Sequence, residues 1–86
     1  MPEISRFFGI IIAMYYDEHP PPHFHARYGS DKAVLTIEPT ALLVGQLSPR
    51  TLGLVTEWAR LHRDELMINW ELARQQQPLN PVAPLE

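Results

Sequence analysis

The chain has 86 residues, of which 45% are hydrophobic and 20% charged, a composition typical of one globular domain rather than a disordered chain. Its formal net charge of −3 argues against bulk, nonspecific nucleic-acid binding, which depends on neutralising phosphates. The chain has no cysteine, which excludes disulfides and thiolate metal ligands, so any metal would have to bind imidazole and carboxylate groups.

An apolar run from Phe7 to Tyr16 opens the chain. A membrane-spanning helix needs about 20 such residues, and two acidic residues end this run well before that length. No small-residue cleavage site suits a signal peptide, so we expect a cytoplasmic protein without a membrane partner. The segment from Arg6 to Tyr16 lacks alternation, which predicts one strand covered on both faces.

Three of the four histidines, His19, His23 and His25, lie within seven residues. Pro20 to Pro22 separate the first from the other two. Because proline has a fixed φ and no N–H, this segment predicts an exposed, semi-rigid connector.

The residues after this connector alternate as in a half-buried strand. One face carries cationic or near-cationic groups: His23, His25 and Arg27. The other carries Phe24, Ala26 and Tyr28, which we expect to point into the core beneath the helices.

Two further strands are predicted by turns and alternation. Gly29 to Lys32 has a turn composition, and Ala33 to Glu38 alternates, as expected of an antiparallel hairpin partner. Leu42 to Gln46 predicts a short fourth strand after a turn at Pro39. These segments indicate an antiparallel meander of three or four strands.

The C-terminal half is helical in pattern. Ser48 is a good N-cap, and Pro49 suits the first helical position. One continuous helix would have an apolar arc wider than a sheet face covers, with Glu65 inside it. A break at residues 62–64, with Asp64 capping a second helix, removes both difficulties.

The resulting prediction is an α+β domain, an antiparallel three- or four-stranded meander followed by two C-terminal helices packed on one face. Residues 1–77 form the domain. Residues 78–86 form a proline-rich extended tail, which either packs on the surface or docks on a partner.

Segments along nearly the whole chain resemble a small bacterial family catalogued as domain of unknown function 4160. They are Ser5 to Ile10, the block from His19 to Ala26 with Tyr28-Gly29, and Glu57 to Trp70. The family has no established activity and no catalytic assignment to transfer. Its members tend to be encoded beside another small protein, which implies by context a two-gene, toxin–antitoxin-like system.

Three interpretations of the histidines compete. In the first, His19, His23 and His25 bind zinc, nickel or copper, with Asp17 or Glu18 completing the ligand set. In the second, the histidines bind backbone groups left open by the prolines and have only a structural role.

The third interpretation is metal-independent acid–base chemistry on RNA. His23 and His25 would move the proton of a 2′-hydroxyl, and Arg27 or Lys32 would stabilise the charge at phosphorus. This makes His23, His25 and Arg27 the candidate catalytic residues of a ribonuclease.

The function predicted first is a protein–protein interaction module that binds itself or the neighbouring small protein and needs no cofactor or metal. The ribonuclease and the metal-binding protein are the alternatives, so the sequence does not decide whether the protein is an enzyme. The remaining candidate binding residues are His19, Tyr28, Lys32, Trp58 and Trp70. We expect a homodimer through the tail and an outward apolar arc from Leu54 to Ala73.

Overall fold

Five antiparallel strands form one sheet in the computed structural model, which describes residues 2–86. The strands are β1 (Glu3–Phe7), β2 (Ile10–Ala13), β3 (His23–Tyr28), β4 (Asp31–Thr36) and β5 (Ala41–Gly45), and they lie in the sheet in chain order. The helices α1 (Pro49–Leu61) and α2 (Arg63–Arg74) follow. The predicted α+β meander with two C-terminal helices is confirmed, but the number of strands is five rather than three or four.

The additional strand comes from a hairpin inside the segment predicted as one strand. Phe7 pairs with Ile10 across a two-residue turn at Phe8 and Gly9, whose φ angles are 52° and 80°. Two consecutive positive φ values are typical of a type I′ turn, for which Asn-Gly or Asp-Gly is the usual sequence. A bulky phenylalanine at the first position conceals that signal within an apolar run.

The core lies between one face of the sheet and the helices. Strand register places Ile12, Ala26 and Ala33 in one row of that face, and all three are buried. The indole of Trp58 in α1 packs against the rings of Phe7 and Phe24, with centroids 5.4 and 5.9 Å apart. Alternation along β3 therefore predicts the buried positions of Phe24 and Ala26 correctly.

Tyr28 does not share their burial, because it is 47% exposed. It is the last residue of β3, directly before the turn at Gly29, and its ring lies against Gly9. The prediction that Tyr28 points into the core is therefore wrong. The strand ends before this position comes under the helices.

The break between the helices is where the pattern predicts it, although the cap differs. Thr51 N–H donates to Ser48 Oγ at 3.3 Å at the start of α1, as expected of the Ser-Pro signal. His62, not Asp64, lies between the helices, and its Nδ1 donates to Glu65 Oε1 at 2.6 Å. Within residues 2–86, no helix combines the length and the apolar character needed to cross a bilayer.

The proline-rich tail packs on its own chain. The Val82 N–H donates to Ile4 O at 2.8 Å, and the Trp58 indole N–H donates to Ala83 O at 2.8 Å. Five apolar residues of the helical arc are buried in the core: Val55, Trp58, Leu66, Trp70 and Ala73. Part of the expected outward arc is therefore buried within the chain, whereas Leu61 and Ile68 are exposed.

Asn69 provides a test of how the tail is held. Its buried amide donates to Asn80 O at 2.9 Å and accepts from Asn80 N–H at 2.8 Å. Asn69→Ala leaves both backbone groups without a partner, so we expect a loss of about 1–3 kcal/mol in the free energy of unfolding. Urea denaturation measures this loss, and limited proteolysis detects release of the tail.

Ile68→Ala is the matched control, because Ile68 is the preceding residue of α2 and is exposed. It should change stability by no more than about 0.5 kcal/mol. Equal losses for the two variants would contradict a specific role of Asn69 in holding the tail.

Candidate functional site

The loop between β2 and β3 brings Glu18 to the two histidines of β3. His23 and His25 are two residues apart on an extended strand and therefore point to the same face. The carboxylate and the two imidazoles each offer an atom within 4.8 Å of the other two. We call Glu18, His23 and His25 the histidine–glutamate cluster.

His23 is the buried member of the cluster, with 8% of its surface exposed. Its Nδ1 lies 2.7 Å from Pro21 O, and a carbonyl oxygen only accepts, so Nδ1 carries a proton. The ring packs against Trp70, with centroids 5.1 Å apart. These contacts direct His23 Nε2 at Glu18 Oε1, 3.3 Å away.

His25 is the more accessible imidazole. Its Nε2 makes a short hydrogen bond to the same oxygen, Glu18 Oε1. The ring of Tyr15 packs edge-on against it, with centroids 4.5 Å apart. Both imidazoles thus present Nε2 to one carboxylate oxygen.

This geometry requires a proton or a cation between His23 and Glu18. With Nδ1 of His23 protonated, a neutral His23 would turn the lone pair of Nε2 towards the lone pairs of Glu18 Oε1. Two facing acceptors at 3.3 Å repel unless a proton or a metal ion lies between them.

The pKa of Glu18 reflects the same environment. Burial raises the pKa of this carboxyl, but the hydrogen bond from His25 and the charges of both imidazoles outweigh burial. The net effect holds the pKa below its ordinary value, so the carboxyl is ionised at neutral pH.

His25 also borders a groove of about 480 Å³ on the sheet face away from the helices. We call it the sheet groove. Arg27 and Lys32, opposite each other on β3 and β4, line one part of it. Its apolar lining includes Ile11, Ala13, Val34 and Val44.

The structure separates the residues predicted as catalytic or metal-binding into two groups. His23 and His25 lie in the cluster, whereas Arg27 lies in the sheet groove. His19 is exposed and outside the cluster, and its neighbour Glu18 occupies the place predicted for it. Adjacent loop residues point in different directions, so the spacing alone does not select the ligand.

The predicted binding residues are equally dispersed. Lys32 lies in the sheet groove, and Tyr28 is exposed at the end of β3. Trp58 is wholly buried in the core, so it offers no surface to a ligand or partner. Trp70 is also buried and supports His23 from behind.

Two residues of the site have weak or no sequence signals. Glu18 is visible in the sequence only as one of two acidic alternatives beside His19. Tyr15 belongs to the apolar run and has no signal of its own. Its contact with His25 depends on the β2–β3 register, which pairs Ala13 with His25.

Comparison with known proteins identifies one family. The model of the family described as domain of unknown function (DUF4160) matches residues 9–71, which include the four strands that line the sheet groove, the cluster and most of the helices. No curated protein and no solved structure matches the chain.

The lowered pKa of Glu18 predicts how stability depends on pH. A carboxyl with a lower pKa in the folded than in the unfolded state stabilises the fold above its unfolded pKa, about 4.3. That contribution is lost as pH falls through the lower, folded value. We therefore expect wild type to be more stable than Glu18→Gln at pH 7, with the difference shrinking below about pH 4.3.

Chemical denaturation between pH 3 and pH 7 measures this difference. Glu57→Gln is the control, because it removes an exposed carboxylate of α1 that lies outside the cluster. A Glu18→Gln difference that stays constant over this range would show that the ionised carboxylate does not stabilise the fold.

Proposed function

The chain belongs to the DUF4160 family, and we propose that it binds a divalent transition-metal ion of the zinc class through Glu18, His23 and His25. One observation carries this proposal: two imidazole Nε2 atoms converge on one oxygen of an ionised carboxylate. A proton or a metal ion among these three groups would relieve the repulsion between their lone pairs, and the convergence of three donor atoms of these types favours the metal ion.

The ligand types and their spacing support zinc. Imidazole nitrogen and carboxylate oxygen bind Zn²⁺ at about 2.0–2.2 Å, which separates neighbouring ligand atoms of a tetrahedral site by about 3.4 Å. His23 Nε2 and Glu18 Oε1 are already 3.3 Å apart. His25 needs only to move away from its short contact with Glu18 to complete the set.

His23 also has the second hydrogen bond that metal-binding histidines usually make. Its Nδ1–H donates to Pro21 O, which leaves Nε2 free to bind the metal and holds the ring in place. The proline segment thereby orients the ligand. A structural interpretation needs a proton between His23 Nε2 and Glu18 Oε1, whereas one metal ion would join all three groups of the cluster.

The same burial argues against the metal-independent ribonuclease. That mechanism requires two imidazoles that reach the substrate, and His23 is 8% exposed and held against Trp70. Only His25 borders the sheet groove. The proposal departs from the cofactor-free protein that the sequence predicts.

Three protein ligands correspond to a catalytic rather than a structural zinc site. Structural sites use four protein ligands, whereas catalytic sites keep one position for water or substrate. His25 belongs both to the cluster and to the lining of the sheet groove. We therefore assign substrate access to the groove side of the cluster.

A different observation favours a second role, self-association. All five residues of the edge strand β5 are exposed and uncharged, including Leu42, Leu43 and Val44, the last at 61% exposure. An edge strand leaves one row of backbone N–H and C=O groups unpaired, and it lacks here the charges and prolines that usually block edge pairing.

We infer that β5 pairs antiparallel with β5 of a second copy. A two-fold axis through the strand makes the contact self-complementary and brings no like charges of β5 together. In this proposal the homodimer forms through the sheet edge rather than through the helical arc and the tail. The toxin–antitoxin-like role remains a prediction, since the family description assigns no function.

Metal titration tests the proposed site. With untagged protein at pH 8, we expect Zn²⁺ to bind at one ion per chain by calorimetry and to raise Tm by mass action. His25→Ala and Glu18→Gln should abolish this shift. Binding should weaken as pH falls, because protons compete for the ligands.

Two histidine variants are matched controls. His19→Ala removes the exposed histidine beside Glu18, and His62→Ala removes one between the helices, so both should bind Zn²⁺ as wild type does. No Tm shift for wild type, or the same loss with His19→Ala as with His25→Ala, would overturn the assignment.

Light scattering after gel filtration tests the β5 dimer. We expect a dimer for wild type at tens of micromolar and a monomer for Leu43→Lys, because a charge at an edge strand opposes pairing. Ile68→Lys places the same charge on an exposed apolar position of α2 and should remain dimeric. A monomeric wild type, or a monomer with Ile68→Lys alone, would exclude the β5 interface.

A further inference from the structure

Arg27 and Lys32 form an unbalanced charge pair on the floor of the sheet groove. They are direct partners in the β3–β4 register and therefore point to the same face. Like charges directly opposite each other destabilise a sheet. Among residues 2–86, neither cation has a carboxylate partner within ion-pair distance.

This imbalance is not due to a shortage of acidic residues. The chain has ten acidic and seven basic side chains, and the ion pairs with carboxylates form elsewhere, by Arg6, Arg63 and Arg74. Glu3 lies close enough for Arg27 to lower its pKa, but its carboxylate is bound to Arg6 at 2.8 Å. Asp31 is opposite Tyr28, on the other face.

The surface next to this pair is apolar and ends at the cluster. The adjoining row of the same face runs through Ala13, His25, Val34 and Val44 in register. Tyr15 adds an aromatic ring at the His25 end. The volume of about 480 Å³ is within the range of small-molecule sites.

We infer that the sheet groove binds a phosphate ester with a flat aromatic body, of the nucleotide class. Arg27 and Lys32 bind the phosphate, since a guanidinium matches phosphate oxygens in a bidentate manner and an ammonium adds a point charge. The aromatic body lies against Val34 and Val44 of the adjoining row, beside His25.

The nucleotide site rests on the proposed metal function only where the ligand would meet the metal ion beside His25. Two residues along β3 separate His25 from Arg27 by about 7 Å. A bound nucleotide therefore extends from the cations to the cluster, where the metal ion and its open position would meet it. The phosphate site itself depends on the cation pair alone.

Calorimetry with adenosine 5′-monophosphate tests the groove, with adenosine and inorganic phosphate as probes of its two halves. We expect the monophosphate to bind more tightly than either, and Arg27→Gln/Lys32→Gln to weaken it about tenfold or more. Binding should also weaken at higher ionic strength. Removing two opposed like charges should leave the fold intact, which circular dichroism verifies.

Arg60→Gln is the matched control, because Arg60 is an exposed cation of α1 outside the sheet groove. No binding of the monophosphate by wild type would overturn the inference. An equal loss with Arg60→Gln would do the same, since it would show attraction by charge in general. Binding of adenosine as tight as that of the monophosphate would also contradict the phosphate site.

The titration repeated with EDTA-treated protein separates this inference from the metal proposal. Monophosphate binding that persists in EDTA and is lost in Arg27→Gln/Lys32→Gln supports the groove even if Zn²⁺ does not bind. Zn²⁺ binding that is retained in a protein with no affinity for the monophosphate overturns the groove inference and leaves the metal site standing.

Discussion

The contact of Trp58 with both layers is the constraint on which the rest of the structure depends. Its buried indole packs against Phe7 of β1 and Phe24 of β3 and donates its N–H to Ala83 of the tail. A large side chain in so small a core contributes much of the apolar burial available. This contact commits one face of the sheet to the helices and leaves the other face open.

The open face gathers charges that the rest of the fold does not balance. At one end, two imidazoles share the ionised carboxylate of Glu18, and at the other, Arg27 and Lys32 face each other without an acidic partner. The first arrangement attracts a cation and the second an anion. They lie in adjacent rows of the same face, beside the apolar side chains that line the sheet groove, and this arrangement suits a single ligand that has a phosphate and an aromatic body.

The tail and β5 illustrate how a short chain distributes its apolar surface. The C-terminal residues bind β1 through Val82 and the helices through Ala83 and Asn80, and part of the helical arc is thereby buried within one chain. Among residues 2–86, no further strand pairs with the outer edge of β5, whose five residues are all exposed. The sheet edge therefore offers an apolar surface that a second copy would cover.

The sequence by itself determines the local features: the α+β order, the Ser48-Pro49 helix start, the break near His62, and the common face of His23 and His25. Each depends on residue type or on a short period. The tertiary structure alone decides that Phe8-Gly9 is a turn, that Glu18 rather than His19 completes the cluster, and that the tail covers the helices. These outcomes depend on loop direction and strand register, which bring distant residues together. Residue periodicity in the sequence does not predict such contacts.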